Sequence, residues 1–191
     1  MSKQFIIPNI AKCLGCYTCL AACALVHKEE GAVPCPRLFL TPTAQGSVPL
    51  QCRQCDQAPC MAVCPVYAIE VQGEAIVLNE KKCVGCGICV LACPIGCIEI
   101  QAVRQTAATG IALATSVLLP LILSEQDEKK MKKIAVKCNL CYFRPEGPAC
   151  VKVCPTKALR LVDEEDIRIL NFQRRRAYAS SIGFQATTDT K

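Results

Sequence analysis

Apolar residues in this chain gather in short bursts, and each burst marks a candidate strand. Phe5-Ile6-Ile7 predicts one near the start. Ala68-Ile69-Glu70-Val71 and Ala75-Ile76-Val77-Leu78 flank Gln72-Gly73-Glu74 and together read as a β-hairpin. Further strands are expected at Cys97-Ile98-Glu99-Ile100, at Ile134-Ala135-Val136-Lys137 and at Ala158-Leu159-Arg160-Leu161-Val162. Between them only short helices fit, over residues 20–25, 61–64 and 90–93. The coarse pattern is a series of βαβ-like units, and the fold class is α+β.

Two stretches break the pattern. Residues 105–124 carry no charge, and about 20 predominantly apolar residues can span a bilayer. Gly110, Pro120 and the Thr and Ser hydroxyls argue instead for a segment packed on the protein or on a partner, with the membrane span as the alternative. Residues 125–133 are highly charged and read as a solvated linker. In the tail, Asp163-Glu164-Glu165-Asp166 suits a helix N-terminus, and Arg174-Arg175-Arg176 comes later. Ile167, Leu170 and Phe172 fit one apolar side, so an amphipathic helix competes with a solvated tail.

Composition then supplies the chemistry. Eighteen of 191 residues are cysteine, while there is no Trp and only five Phe and four Tyr. Aromatic core fillers are scarce, so something else is expected to fill the interior. The start, Met1-Ser2-Lys3-Gln4-Phe5, lacks a secretory pattern, and a reducing compartment does not keep so many disulfides. The formal charge of +6 counts every cysteine as neutral. Metal-bound cysteines are thiolates, so the basic excess reads as compensation for their buried charge rather than as a nucleic-acid surface.

Four cysteine runs repeat along the chain. They are Cys13-x2-Cys16-x2-Cys19-x3-Cys23; Cys52-x2-Cys55-x4-Cys60-x3-Cys64-Pro65; Cys83-x2-Cys86-x2-Cys89-x3-Cys93-Pro94; and Cys138-x2-Cys141-x8-Cys150-x3-Cys154-Pro155. Three cysteines in a tight loop converge on one cubane, and the fourth turns towards another cluster in two-cluster ferredoxins. Zinc knuckles use paired C-x2-C units, often with histidine, and fit poorly. Ala24 stands where the other runs have proline, which leaves the ligand count intact. Cys35 and Cys97 remain over and read as small buried residues. His27 is expected at a surface or interface, with a hydrogen bond to a cluster sulfur as the alternative, and Lys152 and Lys157 in solvent, with an offset to cluster charge or an acidic partner as theirs.

The order of the runs resembles the four-cluster electron-transfer subunits of molybdopterin oxidoreductases. Cys13-Leu14-Gly15-Cys16-Tyr17-Thr18-Cys19, Ile134-Ala135-Val136-Lys137-Cys138-Asn139-Leu140-Cys141 and the stretch from Gly147 through Cys150 and Cys154 to Leu159 narrow it. They are similar to the small iron–sulfur subunit of the formate hydrogenlyase and hydrogen-dependent carbon dioxide reductase type. The resemblance implies four [4Fe-4S] clusters. One would be held by Cys13, Cys16, Cys19 and Cys154, and its partner by Cys138, Cys141, Cys150 and Cys23. A third would take Cys52, Cys55, Cys60 and Cys93, and a fourth Cys83, Cys86, Cys89 and Cys64. The resemblance also implies two ferredoxin-like modules, an inner one over 45–101 nested in an outer, discontinuous one over 1–44 and 125–165. Residues 102–124 would be an uncharged interface insertion, and 166–191 a C-terminal helix or tail.

No nucleophile with a base, no G-x-G-x-x-G and no P-loop occurs, so no catalytic residue is expected. By resemblance the chain carries single electrons between a molybdenum or tungsten formate dehydrogenase catalytic subunit and a hydrogenase or other iron–sulfur subunits. Further copies of the chain are also partners the resemblance admits. A cytoplasmic location is expected, with membrane contact only through partners. The alternatives are a subunit of another molybdopterin oxidoreductase, an assembly factor for such enzymes, and a free polyferredoxin.

Overall fold

The computed structural model describes residues 4–44, 46–104 and 131–182. Among the described residues the strands pair in twos. β1 (Phe5–Pro8) lies antiparallel to β8 (Leu159–Val162), so the beginning of the chain is fastened near its far end. β2 (Leu38–Thr43) pairs with β3 (Gly46–Gln51), and β4 (Ile69–Gln72) with β5 (Ala75–Leu78). β6 (Ile98–Arg104) pairs with β7 (Met131–Lys137). These ribbons and the helices between them make up the mixed α+β class.

Most helices are single turns: α2 (Pro59–Ala62), α3 (Ile88–Ala92) and α4 (Ala149–Lys152). Each ends just before the Cys-Pro pair that closes its run, because proline disfavours helical backbone in the residue before it. α1 (Thr18–Glu29) has Ala24 instead and continues for 12 residues. The missing proline therefore changes the exit of the first run, which the ligand count alone does not reveal. α5 (Glu164–Ser181) begins at a capping box in which Asp163 and Asp166 each accept the other's backbone N–H. The tail is helical as far as Ser181, and its side chains are mostly exposed.

The expected hairpin forms with a two-residue turn at Gly73 and Glu74, and Gly73 takes a φ of 61°. All four β5 residues are buried, although a strand normally shows one face to water. The strand period of two resolves this. Ile76 and Leu78 enter a core with Cys60, Cys83, Cys89, Ile98 and Ile134. Ala75 and Val77 enter a second core with Ile6, Cys23, Cys138, Cys150 and Leu159. One strand is thus the wall between two cores.

The β2–β3 ribbon was not expected from sequence. Pro42 and Pro49 mark breaks in an interior strand, but a two-stranded ribbon leaves each strand an open edge where the missing N–H costs nothing. The charged linker expected over 125–133 is shortened, because β7 already begins at Met131. The uncharged stretch 105–124 lies outside the described residues. Among the described residues no helix is long and apolar enough to cross a membrane.

Ile76→Ala removes a buried side chain from the dividing strand and is expected to cost about 3 kcal/mol. Thermal unfolding of the cluster-loaded chain, followed by visible absorbance, should show the midpoint lowered by roughly 5–10 °C.

Candidate metal centres

Each run opens with the same backbone device. The second residue between its first two cysteines is left-handed: Gly15 (φ 67°), Gln54 (φ 50°), Gly85 (φ 69°) and Leu140 (φ 57°). This conformation curls the loop and turns main-chain N–H groups towards sulfur. Gln54 N–H donates to Cys52 Sγ at 3.4 Å and Gly85 N–H to Cys83 Sγ at 3.4 Å. Glycine reaches such φ without strain, whereas Gln54 and Leu140 carry a cost of about 1–2 kcal/mol each.

A second device closes three of the runs. Three residues beyond the last cysteine, Tyr67, Gly96 and Lys157 are left-handed. The next N–H then returns to that cysteine: Ala68 to Cys64 at 3.2 Å, Cys97 to Cys93 at 3.3 Å and Ala158 to Cys154 at 3.2 Å. The first run, with its longer helix, uses a distant donor. Arg37 N–H reaches Cys23 Sγ at 3.3 Å, and Glu80 holds that loop by pairing with the Arg37 guanidinium and accepting Val33 N–H at 2.9 Å.

The thiols fall into groups. Cys13, Cys16, Cys19 and Cys154 line one cavity of about 340 Å³, part of it open to solvent. Cys64, Cys83, Cys86 and Cys89 line another of about 320 Å³. Cys150 lies within electrostatic range of Cys138, Cys23, Cys141 and also Cys19. Cys60 senses Cys52 and Cys93, and α2 packs on α3 there. Cys55 is half-buried in the same loop as Cys52. None of the 18 cysteines forms a disulfide.

Without metal several of the buried thiols resist ionisation. Burial, reinforced by Cys138 and Cys141, pushes Cys23 up to about 12 against the Arg37 N–H bond. Burial likewise lifts Cys138 and Cys89 to about 11 and raises Cys150 strongly. The rim differs. A hydrogen bond from the Thr18 hydroxyl lowers Cys16. At Cys154 burial acts upwards, but bonds from Ala158 N–H and Thr156 outweigh it and the thiol is lowered. A bound cation would take the protons' place and hold these sulfurs as thiolates.

Similarity to known proteins identifies that cation. The 4Fe-4S dicluster domain family matches residues 82–158, and the LdpA Fe-S cluster-binding domain family matches residues 49–104. Formate hydrogenlyase subunit 2 of Escherichia coli is 40% identical over 91% of this chain and 88% of its own length. Hydrogenase-4 component A of the same organism is 39% identical, over 93% and 91% respectively. Electron transport protein HydN, also from Escherichia coli, is 34% identical over 93% and 98%. The chain belongs to this family of ferredoxin-type 4Fe-4S proteins.

The donor set fits a 4Fe-4S ferredoxin. Each iron of a [4Fe-4S] cubane takes one thiolate, so the ligands surround a volume rather than a point. Among the described residues no three His, Cys, Asp or Glu side chains close on a single ion. The N–H bonds to sulfur stabilise bound thiolate and tune its potential.

Outside the cysteines the sequence reading misplaced His27, although the sulfur contact held as its alternative is present, with Nδ1 3.7 Å from Cys23 Sγ. His27 is buried, not at a surface: Nδ1 donates to Cys23 O at 2.7 Å and Nε2 faces Asn139 Oδ1 at 3.1 Å. The helical i+4 relation of Cys23 and His27 was the available signal, and it depends on α1 continuing past Ala24. Burial, with Arg37 nearby, pushes the histidine pKa down while these two bonds oppose the shift. Asn139 also accepts Cys141 N–H at 3.0 Å, so it ties α1 to the fourth loop. Cys97 is buried as expected, Cys35 is half-buried, and Lys152 and Lys157 are exposed.

Among the described glycines Gly85 is the least replaceable, because a Cβ there would overlap the Lys133 carbonyl of β7. Gly85→Ala should lower bound iron by about four atoms per chain, one cubane. Gly73→Ala, with open space around it, pays only the left-handed strain of about 1 kcal/mol and should keep its full iron content. Iron and sulfide analysis after anoxic purification reads both.

Proposed function

We propose that this chain is a non-catalytic electron-transfer subunit with four [4Fe-4S] clusters, joining a molybdenum or tungsten formate dehydrogenase to a hydrogenase. The observation that carries the relay is the succession of thiol groups. Cys13, Cys16, Cys19 and Cys154 ring one cavity, Cys19 shares a core with Cys23, Cys138, Cys150 and Cys52, and Cys60 and Cys93 share the other core with Cys64, Cys83 and Cys89, three of the thiols around the second cavity. The members are the four quartets that the family resemblance implies. The reading includes two nested modules, over 45–101 and over 1–44 with 125–165, and the β1–β8 pairing and the two cores on either face of β5 support them.

When bound, the clusters supply sites that accept and release one electron each. The chain's work is to space them, dry them and hold their thiolates. The middle groups are the driest: Cys23, Cys138, Cys141 and Cys150 are all buried, as are Cys52 and Cys60. The end groups reach the surface through Cys16 and Cys86. Exposed apolar side chains stand beside both, Leu14 and Tyr17 at one end and Val84, Ile88 and Leu91 at the other. These are the two faces at which partners would bring their own redox centres close. The choice of partners rests on the relatives named for formate hydrogenlyase and for hydrogenase-4.

Two experiments test this. Cys13→Ser and Cys154→Ser, far apart in sequence, should abolish the same paramagnetic signal, and each should retain about 12 of 16 iron atoms. Different lost signals would break the pairing. Anoxic affinity purification from the native cell should recover a formate dehydrogenase and a hydrogenase in near-equal amounts. A different molybdoenzyme would keep the relay and replace the reaction, and recovery of the chain alone would overturn the permanent-subunit reading.

A further inference from the structure

Lys137 is the most unusual charged residue in the fold. It ends β7, directly before Cys138, and is 1% exposed. A lysine so deep ordinarily has a carboxylate beside it. Among the described residues none pairs with it. Its Nζ donates instead to two backbone carbonyls, Ile76 O and, at 2.8 Å, Cys138 O.

The same two residues are held by Gln54, which is wholly buried between Cys52 and Cys55. Gln54 Nε2 donates to Cys138 O at 3.2 Å, and its Oε1 accepts Ile76 N–H at 2.8 Å. Lys137, Gln54, Ile76 and Cys138 therefore form a closed knot of hydrogen bonds. It joins the second-run loop, the dividing strand β5 and the fourth-run loop. The positive charge of Lys137 acts on a thiol from each side, Cys60 and Cys138.

Carbonyl dipoles orient an ammonium but do not cancel its charge. The counter-charge must come from whatever occupies the thiol groups on either side. Thiolate-bound [4Fe-4S] clusters carry about −2 each when oxidised and become more negative on reduction. A fixed cation between two of them favours the reduced form of both, since it offsets the arriving electron.

We propose that Lys137 is a potential-setting residue at the crossing between the two modules, raising the reduction potentials of the two middle clusters relative to the two end clusters. This rests on the four-cluster relay proposed above. Lys137 spends its Nζ hydrogen bonds on carbonyls and acts through space, with Gln54 fixing the loops around it. Electrons are thereby drawn towards the buried middle of the chain and are not stranded at an end.

The test is potentiometry monitored by electron paramagnetic resonance on the anoxically purified full chain and its Lys137→Gln and Lys137→Arg variants. The two middle signals are assigned by their loss in Cys60→Ser and Cys150→Ser. In Lys137→Gln those two midpoints should fall by at least about 59 mV, a tenfold change in a one-electron equilibrium, while the end clusters hold still. Lys137→Arg keeps the charge and should keep all four midpoints. No shift in Lys137→Gln, or an equal shift of all four, overturns the proposal. If Lys137→Gln loses iron, the arginine variant decides: full iron with unchanged midpoints supports a requirement for charge, and loss in both variants shows packing alone and overturns it. A wild-type chain with far fewer than about 16 iron atoms would instead overturn the four-cluster reading before any variant is made.

Discussion

Backbone N–H groups given to sulfur are the interaction on which this structure depends. Each cysteine loop curls through a left-handed residue so that amides point inward, and three of the four runs repeat the gesture at their exit. Once the loops are curled, little regular structure is left to build. The strands are only four to seven residues long, and most helices are single turns. The usual order of a small domain is reversed: secondary structure here fills the gaps between ligand loops. The scarcity of aromatic residues fits that order, because cluster sites and cysteines occupy the places where large side chains would pack.

The first run departs from the other three at a single position. With Ala24 in place of proline, α1 does not stop, and the return N–H at the fourth cysteine is replaced by one from Arg37. The longer helix buries His27 against Asn139, while Glu80 anchors the Arg37 loop from beyond β5. One missing proline therefore makes the first run lean on residues from three other parts of the chain. At the other three runs the return N–H to the last cysteine comes from only four residues on.

Legibility in the sequence tracked how local the cause was. The cysteine runs, the Gly73 hairpin and the Asp163 helix start were readable because spacing or one residue type dictates each. β2 and β3 were hidden, since their prolines are signals against a strand except in a two-stranded ribbon. β5 was legible as a strand but not as a shared wall, because four consecutive apolar residues do not say what lies on each face. Lys137 and Gln54 were illegible for a related reason. A lysine ending a strand and a glutamine in a loop are ordinary solvated residues until distant carbonyls are placed around them.

The fastening of β1 to β8 has a consequence for how the protein is made. Ile6 is wholly buried in the finished fold, and the register places it opposite Leu161. A ribosome working at about 5–20 residues per second leaves that first strand waiting on the order of ten seconds for its partner. The hairpin of β4 and β5, by contrast, is complete within ten residues. Elongation alone therefore lets that hairpin pair well before β1 can, and Ile6 is among the later core residues to find shelter.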